Sequence, residues 1–486
     1  ITPPLLKERE WARISSIEAS RFNAGTAYVA ANRFQMDDLE PYLFRTTDYG
    51  TTWTRIDASG QPNGIPASEF TRVLREDETR RGLLYAGTER GVYASLDDGS
   101  TWFSLRRNLP IVPVHDLAVK EGDLIAATHG RSFYIIDDLS VLRQLTPQAL
   151  AKRAHLFDPR TTYRVTWAGG FGEGGAGNSP IGENPPTGVI VNFWLQEAAK
   201  RVTLEFRDST GRTIRSFGSD TTISASATAT GAPMQQAAFA RGGAPEPMVP
   251  NKTGLNTFAW NLRESDATRF DGMIFWGAGT VGPLVLPGNY TVRLLVDGAL
   301  VQESKFLVRK DPRSSATPAD LVAQYKLLMQ IRDRTTDAND AVRTVRNVRS
   351  QVVARSRQVG ADSAQYAMLI KALDLKISEL EAKIYQVKNQ SGQDPLNYPI
   401  RVNNQIAALA GVVGSTEARP TKQSYVVFDT LTKELEVYLV DLRQAWKDML
   451  PPIDEILKKH GHPAVEVKPA DVRAARTSAE EEVEGV

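Results

Sequence analysis

Two copies of one short motif are the most informative part of this sequence: Thr46-Thr-Asp-Tyr-Gly-Thr-Thr-Trp53 and Ser95-Leu-Asp-Asp-Gly-Ser-Thr-Trp102. The aspartate of such a motif accepts hydrogen bonds from backbone N–H groups of its own turn. The glycine two residues later supplies a positive φ, and the tryptophan covers the hairpin with a large apolar surface. The motif therefore predicts a structural turn, held by Asp48, Gly50, Thr52 and Trp53 in the first copy and by Asp97, Gly99, Thr101 and Trp102 in the second.

The motif is part of an internal repeat. The two aspartates are 97 − 48 = 49 residues apart, and each motif follows a short apolar segment, Gly25–Ala31 or Gly82–Thr88. A weaker third copy, Leu124–Asp138, keeps the apolar segments but has Leu139 in the place of the glycine. Short apolar runs between turn residues indicate strands, and a repeat of roughly 40 to 50 residues with four strands is typical of a propeller blade. Residues 1–144 are therefore predicted to form about three blades of a β-propeller.

Downstream of the repeat the sequence pattern changes twice. Alternating apolar segments in 145–313 predict an antiparallel immunoglobulin-like β-sandwich, interrupted by a low-complexity insertion at 218–253. In 314–463 apolar residues recur three and four positions apart, which predicts an antiparallel helical bundle whose last long helix stops at Pro451-Pro452. The acidic end of 464–486 is typical of a tail. The predicted fold is multidomain: a partial all-β propeller, a β-sandwich and an all-α bundle.

Composition limits the function classes. The 486 residues contain 58 Lys and Arg against 57 Asp and Glu, a formal net charge of +1, which excludes a uniformly basic surface for nucleic acid. The stripe of Arg343, Arg346 and Arg349 is interpreted as a solvated helix face with acidic partners. Cysteine is absent, which excludes disulfides and thiolate metal sites, and we expect neither a metal nor a cofactor. No apolar run approaches the roughly 18 to 20 residues of a transmembrane segment.

The two motifs resemble the Asp boxes of the BNR-repeat propellers, which include sialidases, xyloglucanases and sortilin-type receptors. The runs Leu84–Tyr93 and Ala127–Asp138 look more closely like bacterial exported proteins labelled sortilin-like or "glycosyl hydrolase". In that family, blades precede a sandwich that ends in a Pro-Gly-x-Tyr-Thr-Val-Arg-Leu strand, here Pro287–Leu294, and a helical region follows. The resemblance implies the C-terminal portion of such a protein, exported to the periplasm, the cell surface or the medium of a bacterium.

The number of blades raises the question of what completes the propeller. The chain opens at Ile1-Thr-Pro-Pro, from which we expect a processed or partial chain. Propellers ordinarily need about four to eight blades, and an open fragment leaves sheet edges unpaired. We therefore expect the N-terminal portion of the same protein, or another chain, to supply the remaining blades.

The loops between the second and third strands of each blade share one face with the links into the next blade, and propellers usually bind ligands there. By the repeat, this face carries the candidate ligand-binding residues Arg33, Glu89, Arg90, His115, His129 and Arg131. Such a mixture of charges suits a carbohydrate, a carboxylate or a peptide terminus. Ion pairs that bridge neighbouring blades are an alternative use of the same residues.

Three function hypotheses follow. The favoured one is an extracytoplasmic binding or scaffold protein that recognises a protein or glycan partner. The second is a glycoside hydrolase whose active site is shared with missing N-terminal blades. Its two carboxylates would come from Asp37, Asp38, Glu89 and Asp116. The third is an accessory or assembly subunit of a membrane-associated complex.

Overall fold

The computed structural model describes residues 2–165, 184–219 and 247–469. These residues form two compact units, 2–152 with 184–185, and 153–165 with 186–219 and 247–469. Most of the predicted insertion at 218–253 and of the tail at 464–486 lies outside the described residues.

The first unit contains three antiparallel sheets in which the strands neighbour one another in chain order. The first sheet consists of β1 (Arg13–Ala19), β2 (Ala27–Arg33), β3 (Asp38–Thr46) and β4 (Thr54–Arg55). The second consists of β5 (Thr71–Glu76), β6 (Leu84–Thr88), β7 (Val92–Ser95) and β8 (Phe103–Ser104). The third has β9 (Val114–Lys120), β10 (Asp123–Thr128) and β11 (Phe133–Ile136). Three short helices complete the unit, α1 (Pro4–Glu8), α2 (Ser140–Gln144) and α3 (Pro147–Leu150).

Each of the two motifs closes the turn between the third and fourth strands of its sheet. In the second copy, one oxygen of Asp97 accepts the Thr101 N–H at 2.8 Å, and the other accepts the Thr101 hydroxyl at 2.7 Å. The Ser95 hydroxyl accepts the N–H of Gly99, whose φ of +89° is the left-handed conformation that favours glycine. The first copy repeats these bonds with Asp48, Thr52, Thr46 and Gly50.

Removal of the Asp97 carboxylate should destabilise the first unit only moderately. Partial burial disfavours the charged form, but hydrogen bonds from Thr101 and Ser95 outweigh it and hold the pKa of Asp97 below its usual range. We expect Asp97→Ala to lower the free energy of unfolding by about 1 kcal/mol at pH 7, because the turn is partly solvated.

The pH dependence checks the cause of this effect. A depressed carboxyl pKa stabilises the folded state above the unfolded value, near pH 4, and this stabilisation is lost as the pH falls through the folded pKa. In urea unfolding, the difference in the free energy of unfolding between the wild type and Asp97→Ala should therefore become smaller below about pH 4. If the difference in the free energy of unfolding stayed constant down to acid pH, the lowered pKa of Asp97 would not be the cause. The control is Thr47→Ala, at an exposed position of the first copy.

The third copy aligns one residue away from the predicted position. The Leu139 N–H donates to the Gly122 carbonyl, as Tyr49 and Asp98 donate to Gly25 and Gly82 in the other copies. Ser140, rather than Leu139, therefore occupies the position of the motif glycine. Because Ser140 begins α2, the short fourth strand of the first two sheets has no counterpart in the described part of the third.

Consecutive sheets of the first unit pack face to face. One buried cluster joins the first and second sheets through Tyr28, Ala30, Leu43, Leu74, Leu84, Ala86 and Trp102. Another joins the second and third through Tyr85, Val92, Ala94, Leu117, Leu124 and Ala126. Both faces of the second sheet are thus covered within the unit.

The second unit begins with two sheets over one core. The smaller has the order β12 (Ala154–Leu156), β14 (Val189–Leu195) and β17 (Gly254–Trp260). The larger has the order β13 (Thr162–Arg164), β19 (Ala299–Lys310), β18 (Gly288–Val296), β15 (Val202–Asp208) and β16 (Thr213–Gly218). The two sheets meet where Phe206 stacks on Trp260, with ring centroids 4.5 Å apart. The expectation of a wholly antiparallel arrangement is wrong for β13, which pairs parallel to β19.

Four longer helices follow, α4 (Pro318–Arg355), α5 (Ser363–Ile384), α6 (Val402–Val413) and α7 (Lys422–Lys459), and share one apolar core. A capping box of Thr317 and Asp320 begins α4. The predicted stop at Pro451-Pro452 is wrong, since α7 continues to Lys459. The missing proline N–H groups are tolerated because Ile453, the next residue, and Leu457, one turn after it, are fully buried. Among the described helices none is long and apolar enough to cross a membrane.

The arginine stripe of α4 is occupied by ion pairs. Arg346 contacts Glu381 at 2.8 Å, and Arg349 contacts Asp374 at 2.6 Å. Arg343 is buried and contacts Asp340 at 2.6 Å. Arg346 and Arg349 therefore join α4 to α5, whereas Arg343 pairs within α4. The prediction of a solvated face is wrong for Arg343, which is buried.

Candidate functional site

The second and third sheets present equivalent positions at one end of their strands. Thr71 pairs with Thr88 in the second sheet, and Val114 pairs with Thr128 in the third. The residues that follow these, Arg72 and Glu89 in the second sheet and His115 and His129 in the third, therefore correspond to each other. We call these four residues the strand-end cluster.

In the second sheet the two positions hold an ion pair. The Nε atom of Arg72 lies 2.9 Å from a carboxylate oxygen of Glu89. The guanidinium also lies over two aromatic rings, 4.9 Å from the centroid of Phe70 and 5.5 Å from that of Phe34. These rings stack on each other with centroids 4.7 Å apart, and Arg72 covers them.

In the third sheet the same positions hold two stacked imidazoles. The rings of His115 and His129 have centroids 4.8 Å apart and planes within 6°, and both side chains are exposed. Partial burial and the positive charges of Arg72 and His129 lower the pKa of His115, against the opposing charge of Glu89. The lowered pKa favours the neutral imidazole at pH 7, which can donate one hydrogen bond and accept another.

The titration of His115 tests this account of the cluster. We expect His129→Ala to raise the pKa of His115, because the substitution removes a positive neighbour when both rings are protonated. The measurement is an NMR titration of the imidazole C–H signals. The control substitution His462→Ala, in the second unit, should leave the pKa of His115 unchanged. An unchanged pKa in His129→Ala would show that the two rings do not interact.

The other predicted ligand residues do not join the cluster. Arg33 lies 2.8 Å from Asp38, and Arg90 is 4.0 Å from Glu69. Arg131 is exposed in the turn after His129. Of the six candidate ligand residues, the structure brings together Glu89, His115 and His129.

Each candidate catalytic carboxylate except Asp37 is engaged by an arginine. Asp38 contacts Arg9 and Arg33, Asp116 contacts Arg75 at 2.7 Å, and Glu89 contacts Arg72. Asp37 is exposed, with a positive φ, at the end of a short helical turn.

These pairings bear on both catalysis and metal binding. Burial favours the neutral acid of Asp38, but hydrogen bonds from Tyr42, Glu40, Arg33 and Arg9 outweigh it and lower the pKa, the opposite of what a general acid needs. In the described part of the chain, no group of three or more His, Asp or Glu residues is placed to hold a metal ion.

Sequence reasoning missed Arg72, Phe34 and Phe70. The signal for Arg72 was present, since aligning the third copy on the second places it at the position of His115. Phe34 and Phe70 lie in segments that connect the repeated strands and do not recur, so the repeat gave no reason to place them together.

Comparisons with known proteins give weak similarities. No family model and no curated protein matches the chain. Among solved structures, "YCF48 bound to D1 peptide" matches at 14% identity over 42% of this chain and 52% of that chain, with a TM-score of 0.18. The GH74 enzyme of Niastella koreensis matches at 12% identity over 41% of this chain and 29% of that chain, with a TM-score of 0.20. The GH74 xyloglucanase of Xanthomonas campestris matches at 13% identity, over 59% and 38%, with a TM-score of 0.19. Similarities this weak carry no argument about function.

Proposed function

We propose that the chain is an exported binding or scaffold protein whose strand-end cluster recognises a protein partner through a carboxylate-bearing segment. The observation that carries the proposal is the exposed pair of stacked imidazoles beside the Arg72–Glu89 ion pair. Neighbouring repeats place these groups at one edge, so a ligand there contacts two sheets at once.

The chemistry of the cluster favours a protein over a glycan. Sugars are usually held on exposed aromatic faces, but Phe70 is buried and Arg72 lies over both Phe34 and Phe70. The two imidazoles offer hydrogen-bond donors instead, which suit a carboxylate. The neutral state of His115 leaves this recognition adjustable by pH.

The proposal also includes a specific fold for each part of the chain. We interpret the three sheets as propeller blades of the Asp-box type, in a larger propeller completed by another part of the protein or another chain. The two sheets of the second unit are interpreted as an immunoglobulin-like sandwich, and α4–α7 as an antiparallel bundle. Support comes from the repeated four-stranded meander and from the single core of each assembly.

No observation favours the hydrolase. Hydrolysis of a glycoside needs two carboxylates roughly 5 to 10 Å apart, one of them with a raised pKa. Asp38, Glu89 and Asp116 each contact an arginine, and the pKa of Asp38 is lowered.

A peptide selection tests the proposal. Random twelve-residue peptides displayed on phage are selected on the purified chain, and the affinities of the recovered peptides are measured by calorimetry. We expect acidic peptides whose binding weakens by about tenfold or more in the double variant His115→Ala/His129→Ala, which corresponds to about 1.4 kcal/mol. The control His462→Ala should bind as the wild type does.

Three results would overturn the proposal. Peptides that bind the double variant equally well would place recognition elsewhere. Binding on a glycan array that the double variant loses would make the ligand a glycan. Hydrolysis of aryl glycosides that Glu89→Gln abolishes would make the protein an enzyme.

A further inference from the structure

Successive sheets of the first unit contact each other through repeated positions. One face of each sheet contacts the sheet that follows it in the chain. On this face, Tyr28 of the first sheet is equivalent to Tyr85 of the second, and Leu43 is equivalent to Val92. All four are buried, at 3% exposed or less. The two interfaces thus repeat the same arrangement.

The third sheet carries the same positions, but nothing covers them in the described residues. Its equivalents are Ile125, Phe133 and Ile135. Phe133 is 70% exposed where Val92 is 3% exposed, and Ile135 is 54% exposed where Ala94 is fully buried. We call this surface the open face.

The open face carries apolar residues on all three strands, with Asp116 of β9 at one end. Ile125 lies between Ile135 on β11 and Ala118 on β9, and Ala127 lies beside Phe133. In the second sheet the position of Ala118 is held by Arg75. Phe133 and Ile135 are larger than Val92 and Ala94, to which they correspond. Asp116 takes the position of Val73, so the open face has the charge of Asp116 in place of the charge of Arg75.

The opposite end of the unit is partly covered. The outer face of the first sheet, with Val29, Ala31, Tyr42 and Phe44, packs against Leu5 and Leu6 of α1 and against Trp53. Helix α1 thus covers the β2 and β3 side of this face, while Ile14 and Ile17 of β1 remain 42% and 67% exposed. In the described residues, no such helix lies over the open face of the third sheet.

We propose that the open face docks a further antiparallel sheet of the same repeat type, supplied by another polypeptide. This rests on the part of the proposed function that makes the chain one component of a larger propeller. The two interfaces already formed within the unit indicate what kind of sheet docks there. In each of them, the later sheet contacts the earlier one through a leucine and an alanine two residues apart on its second strand. These are Leu84 and Ala86 in the second sheet, and Leu124 and Ala126 in the third.

A second copy of this chain does not provide such a surface. Its Leu84 and Leu124 faces are buried within the unit, and α1 and Trp53 cover β2 and β3 of its first sheet. Two copies that met open face to open face would form a different arrangement from the repeat.

Photo-crosslinking tests the proposal with the full chain. The photoreactive residue benzoylphenylalanine replaces Phe133 in cells of the producing organism, and it replaces Ile111 in the control, which is 61% exposed in the link before β9. We expect position 133, but not position 111, to cross-link to another polypeptide. Mass spectrometry should then identify the cross-linked peptide as a strand with an aliphatic residue and an alanine two positions apart, followed by an Asp-box turn.

The remaining outcomes all overturn the proposal: a cross-link to a second copy, a cross-link to a peptide without this pattern, or no more cross-linking at 133 than at 111. The substitution Ile135→Asp, at an exposed position that leaves the fold intact, should reduce recovery of the same partner about tenfold or more. Phe133 and Ile135 lie outside the strand-end cluster. The cross-linking result and the loss of peptide binding in His115→Ala/His129→Ala can therefore be distinguished from each other.

Discussion

We expect replacement of Asp77 by alanine to lower the free energy of unfolding of the first unit by about 3 to 5 kcal/mol, because it removes one member of a buried ion pair. Asp77 is fully buried and lies 3.0 Å from the Nε atom of Arg143 on α2. Its oxygens also accept the N–H groups of Thr79 and Arg80. The carboxylate therefore joins the turn after β5 to the helix that follows the third sheet.

Urea unfolding followed by circular dichroism measures this effect. The control is Glu78→Ala, since Glu78 is the next residue and contacts Arg21 only at 4.0 Å. We expect the control to change the free energy of unfolding by less than about 0.5 kcal/mol. Equal effects of the two substitutions would show that the ion pair with Arg143 does not stabilise the unit.

The second large effect is expected from the tryptophans of the two repeated motifs, which have different environments. Trp102 is 4% exposed and lies in the cluster between the first and second sheets, where its Nε1 donates to the Ile56 carbonyl at 2.6 Å. Trp53 is half-buried against α1 on the outer face of the first sheet.

We expect Trp102→Ala to lower the free energy of unfolding by about 3 to 5 kcal/mol, and Trp53→Ala by about 1 to 2 kcal/mol. The same urea experiment compares the two variants. A larger loss in Trp53→Ala would contradict the assignment of Trp102 to an interface between sheets.

The sequence was sufficient for features that depend on local geometry. Asp48 and Asp97 form the expected turns because the hydrogen bonds of such a turn run between residues two to four positions apart. The strands of the first two sheets follow from the same repeat. Leu139 was misplaced by one position, because the third copy lacks the glycine that fixes the alignment.

Features that depend on distant parts of the chain could not be predicted. Arg72 lies over Phe34 only because the first sheet packs against the second. The helix α7 passes through Pro451 because apolar residues beyond it are buried by other helices. The parallel pairing of β13 with β19 joins segments far apart in the sequence, and no periodicity records it.

Hydrogen exchange of β11 is the most direct measurement of the claim that the third sheet is the open end of a longer stack. Peptides that cover Phe133–Ile136 are compared with those that cover the equivalent strand Val92–Ser95, in the purified chain and in the assembly recovered from the producing cells. The account predicts fast exchange of β11 in the purified chain, slow exchange in the assembly, and slow exchange of β7 in both. Equal protection of β11 in the two samples would contradict it.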